Sequence, residues 1–249
     1  MALLAALTSA GASWTPGMLT ERAELPGRAL AWERSVTAGS RTVRLSGVSF
    51  SSRDCTFRVV DNPPPSRLSL AEALAGAGAV AGVNGGYFHK DFRPLGLVVA
   101  GGETIHGFER AKLLSGVLAV TDHRIALLRA GVYKAGQSLR DALQAGPWLV
   151  ENGKVIAGLN SDKLARRTVV VSDGGERWAV VVTSPLTLAE TAEVLALKDV
   201  MPGWTIRDAL NLDGGSSTAL LALSEGRAVL DVPSFGPVRN YLAIVPRRR

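Results

Sequence analysis

Two stretches far apart in the chain share one shape, and that shape constrains the fold more than any other feature. Val80-Ala81-Gly82-Val83-Asn84-Gly85-Gly86 and Ala209-Leu210-Asn211-Leu212-Asp213-Gly214-Gly215 are each an apolar run that stops on one polar residue and two glycines. A short apolar run bounded by turn residues reads as a buried strand. Paired glycines permit positive φ and a close approach of backbone to a ligand. Such strand ends either present their polar group at the rim of a pocket or close into ordinary Asx turns. Their repetition makes Asn84 and Asp213 candidates for one site. If the two strands are neighbours in one sheet and run the same way, the side chains fall within about 5 to 10 Å of each other. An arginine in the same space would hold the Asp213 carboxyl below its ordinary range.

The rest of the chain is read from the same signals. Thr42–Val48 and Thr56–Val60 alternate with period 2. Further strands are expected at residues 96–100, 116–120, 124–128, 169–171, 178–183, 228–232 and 241–245, with 169–171 and 178–183 forming a hairpin about Ser172-Asp173-Gly174-Gly175. Ser69-Leu70-Ala71-Glu72 and Thr187-Leu188-Ala189-Glu190 are capping boxes that open helices, the second running to about Lys198. Ser138-Leu139-Arg140-Asp141 resembles a third, before a short helix. Gly76-Ala77-Gly78-Ala79-Val80-Ala81 fits a dinucleotide pattern, but it follows a helix and precedes a strand, so it reads as a helix end. Many strands with three or four capped helices predict an α+β fold, a single mixed domain over residues 13–249 with a central sheet flanked by helices.

Composition narrows the function. One cysteine, Cys55, excludes an internal disulfide and a cysteine zinc cluster, and three histidines without an HExxH pair predict no metal site. The net charge of +6 includes the terminal run Arg247-Arg248-Arg249, and the few aromatics are not interleaved with the basic residues, so no nucleic-acid partner is expected. No run of about 18 apolar residues predicts an integral membrane span. Residues 1–12 form a short apolar run ending on Ala10-Gly11-Ala12, which reads either as a frayed segment or as an export signal with a shortened start. No GxSxG elbow and no P-loop occurs. Ser216, Ser217 and Thr218 either donate to substrate oxygens or cap a helix, and Arg166-Arg167-Thr168 sets two cations beside a run of valines where an anion could be held.

Five ordered motifs then carry a resemblance. Asn-Gly-Gly-Tyr-Phe at 84–88, Gln-Ala-Gly-Pro at 144–147, Arg-Thr at 167–168, Leu-Thr-Leu-Ala-Glu at 186–190 and Asn-Leu-Asp-Gly-Gly-Ser-Ser at 211–217 are similar, in that order, to the motifs of phosphodiester glycosidase domains. The resemblance covers roughly residues 79–246. It implies cleavage of a sugar from the phosphate of a glycosyl phosphodiester, free or polymer-linked, without a cofactor. By motif position it implies Asn84, Arg167 and Asp213 as catalytic residues. Gly85, Gly86, Tyr87, Gly146, Arg166, Thr168, Gly214, Gly215, Ser216 and Ser217 would contact substrate. Asp213 would then act as nucleophile, electrostatic stabiliser or activator of water; Asn84 would bond a sugar hydroxyl or the phosphate. Arg167, or alternatively Arg166, would neutralise the leaving phosphate. The exported nature of resembling proteins implies a periplasmic or extracellular location. A non-catalytic module binding exported polysaccharide or cell-wall polymer through the same pocket is the alternative.

Overall fold

The computed structural model describes residues 13–247 apart from Ser66 and Gln137; the apolar run at 1–12 lies outside the described residues. Strand covers 49% of the chain and helix 9%, so the fold is mainly β rather than α+β. Numbered in chain order, the strands form three sheets. The largest runs, in spatial order, β1 (Thr15–Leu25), β2 (Ala29–Ala38), β3 (Arg41–Ser51), β14 (Arg177–Leu186), β13 (Ala165–Ser172), β15 (Asp208–Asn211), β11 (Trp148–Glu151) and β12 (Lys154–Val155). The second runs β7 (Glu103–His106), β6 (Val98–Ala100), β10 (Asp141–Ala145), β8 (Gly116–Val120) and β9 (Ile125–Arg129). The third runs β17 (Arg227–Val232), β16 (Leu220–Ser224), β5 (Ala81–Asn84), β18 (Asn240–Pro246) and β4 (Cys55–Asp61).

One core cluster draws on all three sheets: Val48, Val170 and Val180 from the first, Leu118 and Leu143 from the second, Phe57, Val83 and Leu242 from the third. The opposite face of the large sheet presents Val169, Val171, Ala179 and Val181 to Ala192 and Leu195 of helix α2 (Leu188–Leu195). Both capping boxes at α1 (Leu70–Ala77) and α2 form as their spacing predicts. Gly78 closes α1 in the left-handed region, φ +62°, which makes it a helix end and not a nucleotide loop. The hairpin of β13 and β14 also forms, with Val169 opposite Val181.

The expected third helix is absent, and its residues are β10. Asp141 is fully buried, and its Oδ1 accepts from Val59 N (2.9 Å) and Gly101 N (3.2 Å), tying β4 to the second sheet. Asp-Ala-Leu-Gln-Ala has helical propensity, but a strand flanked by β6 and β8 takes its conformation from its neighbours. The second departure is α2, which ends at Leu195 and not at Lys198.

Candidate active site

The two glycine-ended strands do meet, by a different route from the one expected. β5 and β15 belong to separate sheets, so their proximity is not that of neighbouring strands. The turns themselves dock: Asp213 N donates to Gly85 O at 3.1 Å, and Asn84 Nδ2 donates to Asp213 O at 2.8 Å. Asn84 Oδ1 accepts from Thr168 Oγ1 (2.7 Å) and Ala219 N (3.0 Å). Asn84 and Thr168 are fully buried. Asn84 is thus a clasp that joins β5, β13, the Asp213 turn and the start of β16.

Glycine is required at three of the four paired positions. A Cβ on Gly85 would stand 2.1 Å from Asn240 Oδ1, and one on Gly214 2.9 Å from Arg166 O. Gly215 has φ +66° and opens the short 3₁₀ turn Gly215–Ser217. At Gly86 the nearest atom to an added Cβ is Gln144 O at 3.5 Å, an ordinary contact. Asn240, buried in β18, accepts from Gly85 N on its carbonyl (2.8 Å) and from Gly86 N on its Oδ1 (2.7 Å).

Asp213 sits partly buried on this turn, its Oδ1 accepting from Gly214 N at 2.8 Å. Burial raises its pKa above the usual carboxylate value, against the pull of the Ser217 hydroxyl and the Gly214 N–H. The expected lowering by an arginine does not occur. Arg167 Nε donates to Leu186 O (2.9 Å) and Nη2 to Lys163 O (2.6 Å), so the guanidinium is held by carbonyls. Arg167 is only 8% exposed and pairs with no carboxylate among the described residues. Its own pKa is drawn down by burial.

Tyr87 ties the Asn84 turn to Gly146 and Asn211. Its hydroxyl donates to Gly146 O (2.6 Å) and accepts from Asn211 Nδ2 (2.8 Å). Burial first, and then the Asp213 charge, push the phenol upward, while the Asn211 hydrogen bond and then the Arg167 charge pull it back. Tyr87 therefore remains a proton donor. Asn211 Nδ2 also reaches Gly146 O at 3.0 Å, and its Oδ1 is buried without a partner. The Gln144-Ala145-Gly146-Pro147 motif supports this corner from behind. Gln144 makes four bonds, to Leu97 N, Glu109 N, Glu109 O and Leu114 O, and fixes the loop beside Gly146.

All the residues singled out by sequence fall around these turns. Arg166 Nε donates to Gly215 O (3.3 Å), Ser217 is buried with its hydroxyl donating to Pro237 O (3.5 Å), and Ser216 is exposed. Sequence reasoning passed over Asn211 as a site residue although it lies in the Asn-Leu-Asp-Gly-Gly motif. It had no signal for Asn240, which stands alone on a strand before Tyr241.

No helix among the described residues is long and apolar enough to cross a membrane. Solved structures share the fold, three of them as follows. The catalytic domain of zebrafish N-acetylglucosamine-1-phosphodiester alpha-N-acetylglucosaminidase, auto-inhibited by its pro-peptide, aligns with TM-score 0.61 at 14% identity, over 96% of this chain and 85% of that one. A hypothetical protein from Synechocystis aligns with TM-score 0.59 at 16% identity, over 88% of this chain; the chain spans 62% of that protein's length. A candidate exported protein of Burkholderia pseudomallei K96243 aligns with TM-score 0.58 at 12% identity, over 82% and 74% of the two chains. No curated protein sequence matches this one. The sequence model of the phosphodiester glycosidase family matches residues 77–245, a span that holds both glycine turns, Arg167, Tyr87 and Asn240, and the chain belongs to that family.

Proposed function

We propose that this protein hydrolyses the C–O bond between sugar and phosphate in a glycosyl phosphodiester, releasing the sugar and a phosphate monoester. The observation that carries the reading is a partly buried carboxylate, Asp213, on a turn whose Gly214 packs on the backbone of Arg166 and Arg167, together with the burial of Arg167, which has no carboxylate partner among the described residues. A buried cation without a counter-ion favours an anionic ligand. A carboxylate on the neighbouring turn suits the sugar end of that ligand.

The chemistry needs no second carboxylate. Ordinary glycosidases protonate a poor alkoxide leaving group with an acid residue. A phosphate monoester has a second pKa of about 6 and departs without such help. Cationic stabilisation then matters more than proton donation, which suits Arg167. Asp213 would act in its ionised form on the anomeric carbon or on an attacking water. Asn84 would serve by holding the Asp213 turn, since its Oδ1 already accepts two bonds and its Nδ2 donates to Asp213 O.

The same reading takes residues 13–249 as one domain, supported by the core that all three sheets share. Export is part of it, supported by the likeness to a candidate exported protein, and N-terminal sequencing of the native protein would check it. The function is tested by incubating the wild-type chain and Asp213→Asn with synthetic hexosyl and N-acetylhexosaminyl phosphodiesters. Release of sugar by the first and not by the second is expected. Saturable binding without turnover by the wild-type chain would replace the enzyme with a polysaccharide-binding module.

A further inference from the structure

Phe235 is 78% exposed. A single exposed apolar side chain is ordinary; what distinguishes this one is how it is attached. Phe235 N and Gly236 N both donate to Ser216 O, at 2.8 and 3.0 Å, so the loop is bonded to the turn that carries Asp213. The Arg166 guanidinium lies over the ring, 4.1 Å from its centroid. The same arginine donates from Nε to Gly215 O (3.3 Å) and from Nη1 to Pro233 O (3.0 Å), binding both segments. A Cβ on Gly236 would stand 3.0 Å from Ser216 Oγ, so the loop packs closely on the turn. The ring is therefore carried by the Asp213 turn, fixed from one side by a cation and open on the remainder.

Arg166 also lines a cleft of about 480 Å³ together with Ser35, Arg44, Ser46, Ser184 and Asp231. Hydroxyls, the carboxylates of Asp231 and Glu33, and guanidinium groups supply both donors and acceptors, which is what sugar hydroxyls require. An aromatic face supplies the complementary surface for the apolar C–H face of a pyranose ring.

We infer that Phe235, backed by Arg166, is a stacking platform for a pyranose ring of the substrate, and that the cleft beside Arg166 takes the hydroxyls of the saccharide next to that ring. This rests on the glycosyl phosphodiester reading above, because the stacked ring belongs to the molecule cleaved at Asp213. It extends that reading by making the substrate a saccharide with recognised surface outside the cleaved bond.

Two measurements separate the platform from the catalytic reading. In steady-state kinetics on the synthetic phosphodiester of lowest KM, Phe235→Ala should raise KM about tenfold, equivalent to ~1.4 kcal/mol, with kcat changed less than about twofold. Phe235→Trp should restore KM. An unchanged KM in Phe235→Ala overturns the platform, as does a loss that Phe235→Trp fails to restore. In the Asp213→Asn background, Phe235→Trp places an indole at the same point. Titration with the same panel of hexosyl and N-acetylhexosaminyl phosphodiesters should then shift its fluorescence saturably, relative to Asp213→Asn alone. That shift without wild-type turnover keeps the platform and rejects the enzyme. Turnover without any shift keeps the enzyme and rejects the platform.

Discussion

The Asn84 turn and the Asp213 turn begin from nearly the same sequence and end in opposite roles. Each is an apolar strand, one polar residue and two glycines. Asn84 is fully buried, and both its amide oxygen and its amide nitrogen are bonded to protein. Asp213 is partly buried, and the Gly214 N–H of its own turn donates to its carboxylate. The cause lies in what packs on each pair of glycines. Asn240 closes over Gly85 and Gly86 and seals that turn inside the third sheet. Gly215, with its positive φ, instead bends the second turn into a short 3₁₀ segment at the surface. One sequence shape thus serves as scaffold in one place and as a presenting arm in the other.

The sharpest way to break this comparison is to change each polar residue. Asp213→Asn should lower turnover by about 10³-fold or more with the fold intact, since only the charge is removed. Asn84→Ala should act through stability. It strands the Thr168 hydroxyl, the Ala219 N–H and the Asp213 carbonyl, and a loss of about 3 kcal/mol is expected. Thermal melting should then fall by roughly 10 °C. Equal loss of melting temperature in both variants would erase the distinction.

The glycines sharpen it further. Gly85→Ala drives a methyl against Asn240 Oδ1 and should cost about 1 to 3 kcal/mol. Gly86→Ala meets only ordinary contacts and should cost under about 1 kcal/mol. Denaturant unfolding of the pair checks both. A Gly86 variant as damaged as the Gly85 variant would contradict the packing described.

The smallest effect is electrostatic. The folded state raises the Asp213 pKa, so ionisation of this group opposes folding. Its contribution favours the fold at low pH and is lost as pH rises through the raised folded value. Asp213→Asn should therefore melt slightly higher than wild type at pH 7, and the gap should close as the pH falls toward the ordinary carboxylate range of about 4. The acid limb of wild-type kcat/KM should lie above that same range. A variant less stable at pH 7 than at acidic pH, relative to wild type, would reverse the sign.

Much of this arrangement was legible in the sequence where the signal is local. The capping boxes at Ser69 and Thr187, the β13–β14 hairpin and the turn glycines each follow from neighbouring residues alone. The short helix expected after Ser138-Leu139-Arg140-Asp141 is instead strand β10, because Asp141 and Gln144 take their conformation from partners at Val59, Gly101 and Leu97, which no local pattern reveals. The meeting of Asn84 and Asp213 was anticipated from their matched contexts, yet the sheet partnership expected to produce it was wrong. Arg167 was expected to charge-pair with Asp213; two backbone carbonyls claim it instead, and such acceptors leave no mark in a sequence.

The measurement that bears most directly on the Asp213 turn is hydrolysis of a glycosyl phosphodiester in oxygen-labelled water, followed by mass analysis of both products. Attack at the anomeric carbon predicts label in the sugar and none in the phosphate monoester. Label in the phosphate would mean P–O cleavage, and it would contradict a mechanism in which Asp213 acts on the sugar and Arg167 on the departing phosphate.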